Sequence, residues 1–314
     1  MLCCTALCLL ASANGQSANN NIEELVVTGK RPGPKLWKVQ LNNNVLWVMG
    51  IVQPLPKSLN WDDASVKHAI EQSAVFLTPP AISVSVTNPL KFIGLFRQYK
   101  KRQKLPKNTT IFDVLSTDRQ QRYNNILDKY DIKINKKLRP LFIVEQLNKK
   151  ASKRVGLQSA ENIHKRLFKL AKSHNVNVIS STRDMDAKQA LKTLESITLK
   201  DELSCFDATL KKLDLSVNLA INAARAWADG DHDELTKIAL QNNDSSCADA
   251  LLSSDQAVTA KADSKSRWLS QAQKALETNK VSFAYLPITE VVSSDGLIAT
   301  LKRRLNDPAH NAKQ

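Results

Sequence analysis

Two polar side chains follow two strongly apolar, strand-like runs of the sequence. Gln53 comes directly after VLWVMGIV, in which Gly50 is the sixth residue, and Glu290 comes two residues after VSFAYLPI. Loops that follow strands at the rim of an open α/β sheet are where sites tend to lie. A carboxylate facing an amide there could bind a polar ligand, or act as a general base if burial raises its pKa. The competing interpretation of Glu290 is a solvated side chain in a loop before a helix.

Two larger side chains could complete such a site. Trp61 follows the Gln53 loop, where it would either line a pocket or pack in the core. Arg267 lies on a predicted C-terminal helix and could pair with Glu290 or with an anionic ligand, although a surface arginine has the same pattern. The candidate binding residues are therefore Gly50, Gln53, Trp61, Arg267 and Glu290. Among them, only Glu290 is a candidate for a catalytic role.

The histidines do not stand in a metal-binding pattern. The chain has five of them, His68, His164, His174, His232 and His310. None forms HxxH, HExxH or HxH, spacings that would bring two imidazoles to one ion. GxSxG, P-loop and GxGxxG patterns are also missing from the sequence. The residues therefore predict neither a metal site nor a cofactor.

The elements that must position these side chains are strands at both ends of the chain and helices between them. LWKVQL and VLWVMGIV, joined by an Asn-rich turn, predict a hairpin, and VSFAYLPI predicts a strand near the C-terminus. Residues 201–229 carry apolar side chains at helical spacing. We expect an α/β (α+β) fold in which the N- and C-terminal strands meet in one central mixed sheet and the middle region is mainly helical.

Two shorter segments have helical patterns of their own. Residues 184–199 predict one helix. Asn108-Thr109-Thr110 would cap a single helix that carries Phe112, Leu115 and Tyr123.

The first residues resemble a secretory signal peptide. MLCCTALCLLASA, residues 1–13, has no charge and ends in small residues, although the usual basic start is missing. We expect a signal peptide at 1–13, a disordered tail at 14–33, one domain at 34–306 and a tail at 307–314, with the mature protein periplasmic or secreted. A cytosolic chain with a disordered N-terminus is the alternative. No later segment reaches the ~18 apolar residues that a membrane span needs, so a soluble protein is expected.

The cysteine pattern agrees with export. Of five cysteines, Cys205 and Cys247 remain after the predicted leader. In an oxidising compartment such a pair predicts a disulfide, and two buried thiols that never meet are the alternative.

The chain is strongly basic, with a formal net charge of +15. Such a balance suits nucleic acid, an anionic membrane surface or an acidic polymer. The basic residues are spread along the chain with few aromatics among them, and no nucleic-acid motif is present, so we expect no nucleic-acid partner. Weak, salt-sensitive association with anionic surfaces is the remaining expectation.

Three stretches of the sequence form an ordered set: PGPKLWKV with VLWVMGIVQPLP, RPLFIVEQL, and RWLSQAQKALE with KVSFAYLPITEVVSSDGLIATLK. Together they resemble the TraB/GumN family, which includes the Tiki-type metalloproteases. The resemblance implies a sheet-centred α/β fold of the ChaN and erythromycin-esterase-like group, and a bacterial envelope location. It also implies a metal held by a GxxH motif near each end of the chain and by an acidic residue between them.

The sequence departs from that pattern at all three positions. The first motif reads Gly50-Ile51-Val52-Gln53 and the second Pro287-Ile288-Thr289-Glu290, and Thr78 stands where the acidic residue is expected. An amide is a poor substitute for imidazole as a metal ligand. We therefore expect a catalytically degenerate binding or regulatory protein that recognises a peptide, a pheromone-like ligand or an envelope polymer. The alternative is a divergent hydrolase with a site rebuilt around Glu290 and Gln53.

Overall fold

The computed structural model of the chain describes residues 32–57, 59–86, 89–241, 247 and 255–306. The predicted leader at 1–13, most of the predicted tail at 14–33 and the C-terminal tail at 307–314 lie outside these residues. Gly33 is buried and its N–H donates to the carbonyl of Ala228 at 2.8 Å. The folded domain therefore includes Gly33, which the sequence pattern had assigned to the tail.

Two runs of helices, at 89–154 and 187–278, separate the described strands along the chain. The strands are β1 Leu36–Leu41, β2 Asn44–Ile51, β3 Leu55–Pro56, β4 Val75–Leu77, β5 Ile82–Ser85, β6 Leu157–Gln158, β7 Asn177–Ile179, β8 Arg183–Asp186 and β9 Val281–Pro287. The helices are α1 Ala64–Glu71, α2 Pro89–Arg102, α3 Ile111–Val114, α4 Thr117–Lys129, α5 Pro140–Arg154, α6 Glu161–Ser173, α7 Ala187–Ser196, α8 Leu199–Asp229, α9 His232–Gln241, α10 Asp255–Thr278, α11 Ile288–Val292 and α12 Leu297–Leu305. None of the described helices is long and apolar enough to cross a bilayer.

The central sheet confirms the predicted fold class. Its order is β1-β2-β9-β4-β7, with β1 antiparallel to β2 and every other neighbouring pair parallel. The N-terminal β2 and the C-terminal β9 are neighbours, as expected. Both are apolar almost throughout because a parallel strand in the middle of a sheet is buried on both faces.

Helices cover the two faces of this sheet. One face packs against α1, α6, α9 and the end of α8, in a core that includes Met49, Phe76, Phe283 and Trp227. The other face packs against α10 and α12. The carboxyl ends of the parallel strands therefore meet at one edge, between two helical layers.

A second core lies away from the sheet, among α3, α4, α5 and the first half of α8. We call this region the helical half. It also includes Glu202 in the first turn of α8, which is completely buried and accepts hydrogen bonds from Arg102 and Arg139, both at 2.8 Å. Arg102 also donates to the carbonyls of Leu194 and Ile197, so it ties the end of α2 to α7.

The helix α8 belongs to both cores and has clear start and stop signals. Thr198 and Asp201 form a capping box at its start. Gly230 ends it at φ 67, a left-handed conformation that glycine adopts without strain. A Cβ at Gly230 would also lie 2.8 Å from the carbonyl oxygen of Gly33, so a side chain here would crowd the backbone that precedes β1.

Cys205 on α8 and Cys247 form a disulfide, with their Cα atoms 4.7 Å apart. This confirms the pairing that the cysteine pattern predicts.

Two of the predicted helices were wrong in detail. Residues 183–186 form β8, and Asp186 then caps α7 by accepting from the backbone N–H of Lys188 at 2.9 Å. The helix predicted around Phe112 and Tyr123 is divided into α3 and α4, because Leu115 is extended between them.

Candidate functional site

A cleft of about 290 Å³ opens where β2 and β9 end. Its floor is made by the residues that follow these two strands, and its walls by α8 and α9. The lining residues are Ile51, Val52, Gln53, Leu219, Ala220, Ala223, Leu235, Ile238, Ala239, Pro287, Ile288 and Thr289. Two of the twelve, Gln53 and Thr289, have polar side chains. The cleft is therefore an apolar depression with two hydrogen-bonding groups.

Gly50 holds the inner end of this site in place. Its carbonyl oxygen accepts a hydrogen bond of 2.7 Å from Nε1 of the buried Trp227. A Cβ on Gly50 would lie 2.6 Å from Cδ1 of Ile288 and 3.0 Å from the ring of Trp37. Glycine is needed here because the side chains of Trp37 and Ile288 close over the backbone, so Gly50 shapes the cleft without donating a group to it.

Gln53 and Thr289 occupy equivalent places on neighbouring strands. Ile51 and Pro287 are opposite each other in the parallel register and end β2 and β9. Gln53 and Thr289 each follow two residues later, and both side chains are exposed to solvent. The structure thus brings Gln53 into the cleft as expected, but with Thr289 rather than Glu290 across from it.

The side chain of Glu290 binds to two neighbouring helices and does not line the cleft. Its carboxylate forms an ion pair of 2.5 Å with Lys265 of α10 and accepts a hydrogen bond of 3.3 Å from the backbone N–H of Leu297. Leu297 is the first residue of α12, where a carboxylate also complements the helix dipole. The pattern could not show this because it placed Glu290 in a loop, whereas residues 288–292 form α11 and successive side chains point about 100° apart.

The other two candidates also lie outside the cleft. Arg267 is exposed on α10, and Lys265, two residues earlier, is the partner that Glu290 takes. Trp61 is 5% exposed, contacts Trp227 edge-on with ring centroids 5.3 Å apart, and has the guanidinium of Arg166 over its ring. Trp61 therefore packs in the core, and it also lines a separate small pocket of about 120 Å³.

Two histidines near the sheet were not singled out by the sequence. His232, the first residue of α9, stacks on Trp37 with ring centroids 3.9 Å apart, and its buried Nε2 has no hydrogen-bond partner among the described residues. His164 lies against Tyr285, with ring centroids 5.2 Å apart. Burial lowers the pKa of both histidines and raises the pKa of Tyr285 to about 12. No spacing in the sequence joins these pairs, since their members lie far apart along the chain. His68 is exposed on α1.

A family model for the TraB/PrgY/gumN family matches residues 35–304. This range includes the whole sheet, the cleft and the helical half. The chain belongs to the TraB/PrgY/gumN family. Searches of curated proteins and of solved structures gave no significant match.

The donor set of this TraB/PrgY/gumN protein does not fit the metal that the sequence resemblance implies. At the GxxH-like positions, Gln53 offers an amide, and Glu290 is already bound to Lys265 and to α12. Thr78, in place of the expected acidic residue, is buried and its N–H donates to Ile179 in the sheet. No cluster of three or more His, Cys, Asp or Glu side chains suited to a metal occurs among the described residues. These residues therefore do not form the metal site that the resemblance implies.

Proposed function

We propose that this TraB/PrgY/gumN protein is an exported, non-catalytic binding or regulatory protein, whose sheet-edge cleft takes an apolar side chain of a peptide. The observation that carries the proposal is the lining of the cleft. Ten of its twelve residues are apolar, while Gln53 and Thr289 can hydrogen-bond to a peptide backbone beside the bound side chain.

The size and the composition of the cleft both favour a peptide side chain. Its volume of about 290 Å³ is at the lower end for ligand sites, roughly 300 Å³ and upwards. An envelope polysaccharide would be expected to need many hydrogen-bonding groups and flat aromatic surfaces. The cleft has two polar side chains, and none of its lining residues is aromatic.

Export is supported by the disulfide between Cys205 and Cys247. Disulfides persist in oxidising compartments and are rare in the cytosol. The charge-free segment at residues 1–13 is the feature that would direct the chain there.

The alternative, a hydrolase that uses Glu290, has less support. A general base needs to reach the proton it removes. The carboxylate of Glu290 is held by Lys265 and by the N–H of Leu297, and it is not among the residues that line the cleft.

The test uses the full chain and pooled synthetic hexapeptides with Leu, Ile, Val or Phe at each position, read by thermal shift and then by calorimetry. Ala223 lines the cleft, so Ala223→Phe should abolish peptide binding by filling it. Asn222→Phe is the matched control, because Asn222 is exposed on the same helix. Binding that survives Ala223→Phe, or no binding of any pool by the wild-type chain, would contradict the proposed cleft.

A second measurement addresses catalysis directly. The chain is titrated with manganese, cobalt and zinc, and the same peptides are assayed for cleavage with and without each ion. We expect no stoichiometric metal binding and no cleavage. Glu290→Ala should lower the free energy of unfolding and have no other effect. Turnover that disappears in the folded Gln53→Ala or Glu290→Ala variant would establish the hydrolase instead.

A further inference from the structure

The helix α2 presents an apolar face to solvent. Phe92, Ile93, Phe96 and Tyr99 are between 37% and 61% exposed, and their spacing places them on one side of the helix. Phe92 and Phe96 stack with their ring centroids 5.9 Å apart. Large apolar side chains scattered singly over a surface need no explanation, but a continuous stripe does.

Contacts near the C-terminal end of α2 attach the helix to the protein and set the orientation of this stripe. Arg102 at the end of the helix is bound to Glu202 and to the carbonyls of Leu194 and Ile197. Tyr99 packs edge-on against Phe142 of α5. The helix can therefore not turn its phenylalanines inward without breaking these contacts.

The chain around this helix is basic and has no acidic residue from Gln72 to Phe112. This interval contains seven basic residues, Lys91, Arg97, Lys100, Lys101, Arg102, Lys104 and Lys107. Arg97, Lys100 and Lys101 are exposed on α2, and the ammonium of Lys100 lies 5.3 Å from the centre of the Phe96 ring. Acidic side chains do occur nearby on β8, where Asp184 accepts from Ser83 and Asp186 caps α7.

We propose that α2 is a membrane-docking helix that lies flat in the interface of an anionic lipid bilayer. Phe92, Ile93 and Phe96 would enter the boundary between headgroups and acyl chains, while Arg97, Lys100 and Lys101 would contact lipid phosphates. Helices with an aromatic and aliphatic face beside a basic face bind membranes in this way. Long basic side chains can reach the headgroups while their methylene stems cover apolar surface.

The apolar stripe is what favours lipid over an anionic polysaccharide. A sulfated or carboxylated polymer would be bound by the lysines and arginines alone, and it offers nothing to the exposed phenylalanines. The proposal is independent of the cleft, because no residue of α2 lines it.

The test is flotation of the full chain with vesicles of phosphatidylcholine alone, or with about one third phosphatidylglycerol. We expect binding to the anionic vesicles, weakened about tenfold or more by Phe92→Ser/Phe96→Ser and by Lys100→Glu/Lys101→Glu. Circular dichroism of each variant establishes that it is folded.

Matched controls carry the same changes elsewhere. Leu215→Ser/Val258→Ser removes two exposed apolar side chains, and Lys211→Glu/Lys274→Glu reverses two exposed charges. Both controls should float like the wild type. The proposal is overturned if the wild-type chain does not bind anionic vesicles, if the controls lose as much binding as the α2 variants, or if the phenylalanines prove dispensable. It is also overturned if the wild type is an oligomer that Phe92→Ser/Phe96→Ser converts to a monomer without changing flotation.

Discussion

Arg102, Arg139 and Glu202 form a buried ionic cluster in the helical half, whereas the cleft at the sheet edge is lined mainly by apolar side chains. Other ion pairs also join helices there, such as Arg119 of α4 with Asp207 of α8 at 2.6 Å. At the sheet edge, the one carboxylate from a family motif position, Glu290, is used to fasten α10 and α12. In both regions charged side chains join elements of the fold, and at the sheet edge the cleft that remains is mainly apolar.

The largest effect should come from removing the buried carboxylate of the helical half. Glu202→Ala leaves the guanidinium groups of Arg102 and Arg139 without their shared partner in a site where Glu202 is completely buried. Breaking one side of a buried pair costs about 3–5 kcal/mol. Urea unfolding should show a loss of this size, while Asp118→Asn, which breaks an exposed pair with Arg122, should cost about 0.5 kcal/mol or less. Equal, small losses in both variants would show that the buried ionic cluster stabilises the helical half no more than an exposed ion pair does.

The disulfide should rank next. Cys205 and Cys247 are 42 residues apart, and a closed loop of this length stabilises a folded chain by ~4 kcal/mol in the chain-entropy model. Cys205→Ser/Cys247→Ser should lower the free energy of unfolding by about 2–4 kcal/mol, since measured values often fall below the model. The reduced wild-type protein should match the double variant. A wild type that is unaffected by reductant would show that the bond does not stabilise the helical half.

A smaller effect is expected in the sheet half, by which we mean the central sheet and the helices α1, α6 and α9 and the end of α8 that pack on it, where a neutral hydrogen bond is buried. Trp227 donates to the Gly50 carbonyl, whereas the buried Nε1 of Trp268 has no partner among the described residues. Both indoles are completely buried, so Trp227→Phe and Trp268→Phe remove similar volumes. Trp227→Phe should cost about 1–2 kcal/mol more, because it also removes a buried hydrogen bond to the Gly50 carbonyl. A larger loss for Trp268→Phe in thermal or urea unfolding would contradict this role.

The smallest expected effect is a difference in the pH range over which titrating groups of the two regions change the stability of the protein. His164 and His232 in the sheet half have lowered pKa values, so below about pH 6.5 the unfolded chain binds protons that the folded chain resists. Stability should therefore fall as the pH decreases through this range, by less than about 1.4 kcal/mol per pH unit for each histidine.

In the helical half, hydrogen bonds from Thr110 to Asp113 and from Thr198 to Asp201 lower the pKa of these carboxyls from 3.8. Their contribution is present above that pH and is lost only in stronger acid. His164→Gln/His232→Gln should make the free energy of unfolding less dependent on pH near pH 6. Its decrease in stronger acid should be unchanged. An unchanged slope near pH 6 would show that the two histidines do not report on the sheet half.

The sequence predicts the frame of the molecule better than its site, for identifiable reasons. Apolar runs such as Val281–Ile288 record burial on both faces, so the meeting of β2 and β9 could be predicted. The end of α8 could also be predicted, because Gly230 follows the last residue of the helical pattern, whereas the cap at Thr198 lies inside the helix predicted at 184–199. The direction of Glu290 could not be predicted, because it depends on the short helix α11 and on Lys265, a residue 25 positions earlier.

The same limit applies to the long-range contacts around the cleft. The stack of His232 on Trp37 joins residues 195 positions apart, and the hydrogen bond from Trp227 to Gly50 joins residues 177 positions apart. No local pattern encodes such a pair. The matching positions of Gln53 and Thr289 could have been found by aligning the strand ends, because the parallel register makes them equivalent.

The helix α8 has a consequence for how the protein opens. Its 31 residues contribute Phe206 and Leu213 to the core of the helical half and Ala224 and Trp227 to the core under the sheet. One uninterrupted ladder of backbone hydrogen bonds thus crosses the boundary between the two cores. Neither core can come apart without fraying the helix that the other one holds, so the amides in the middle of α8 should exchange with deuterium only when the whole chain unfolds cooperatively.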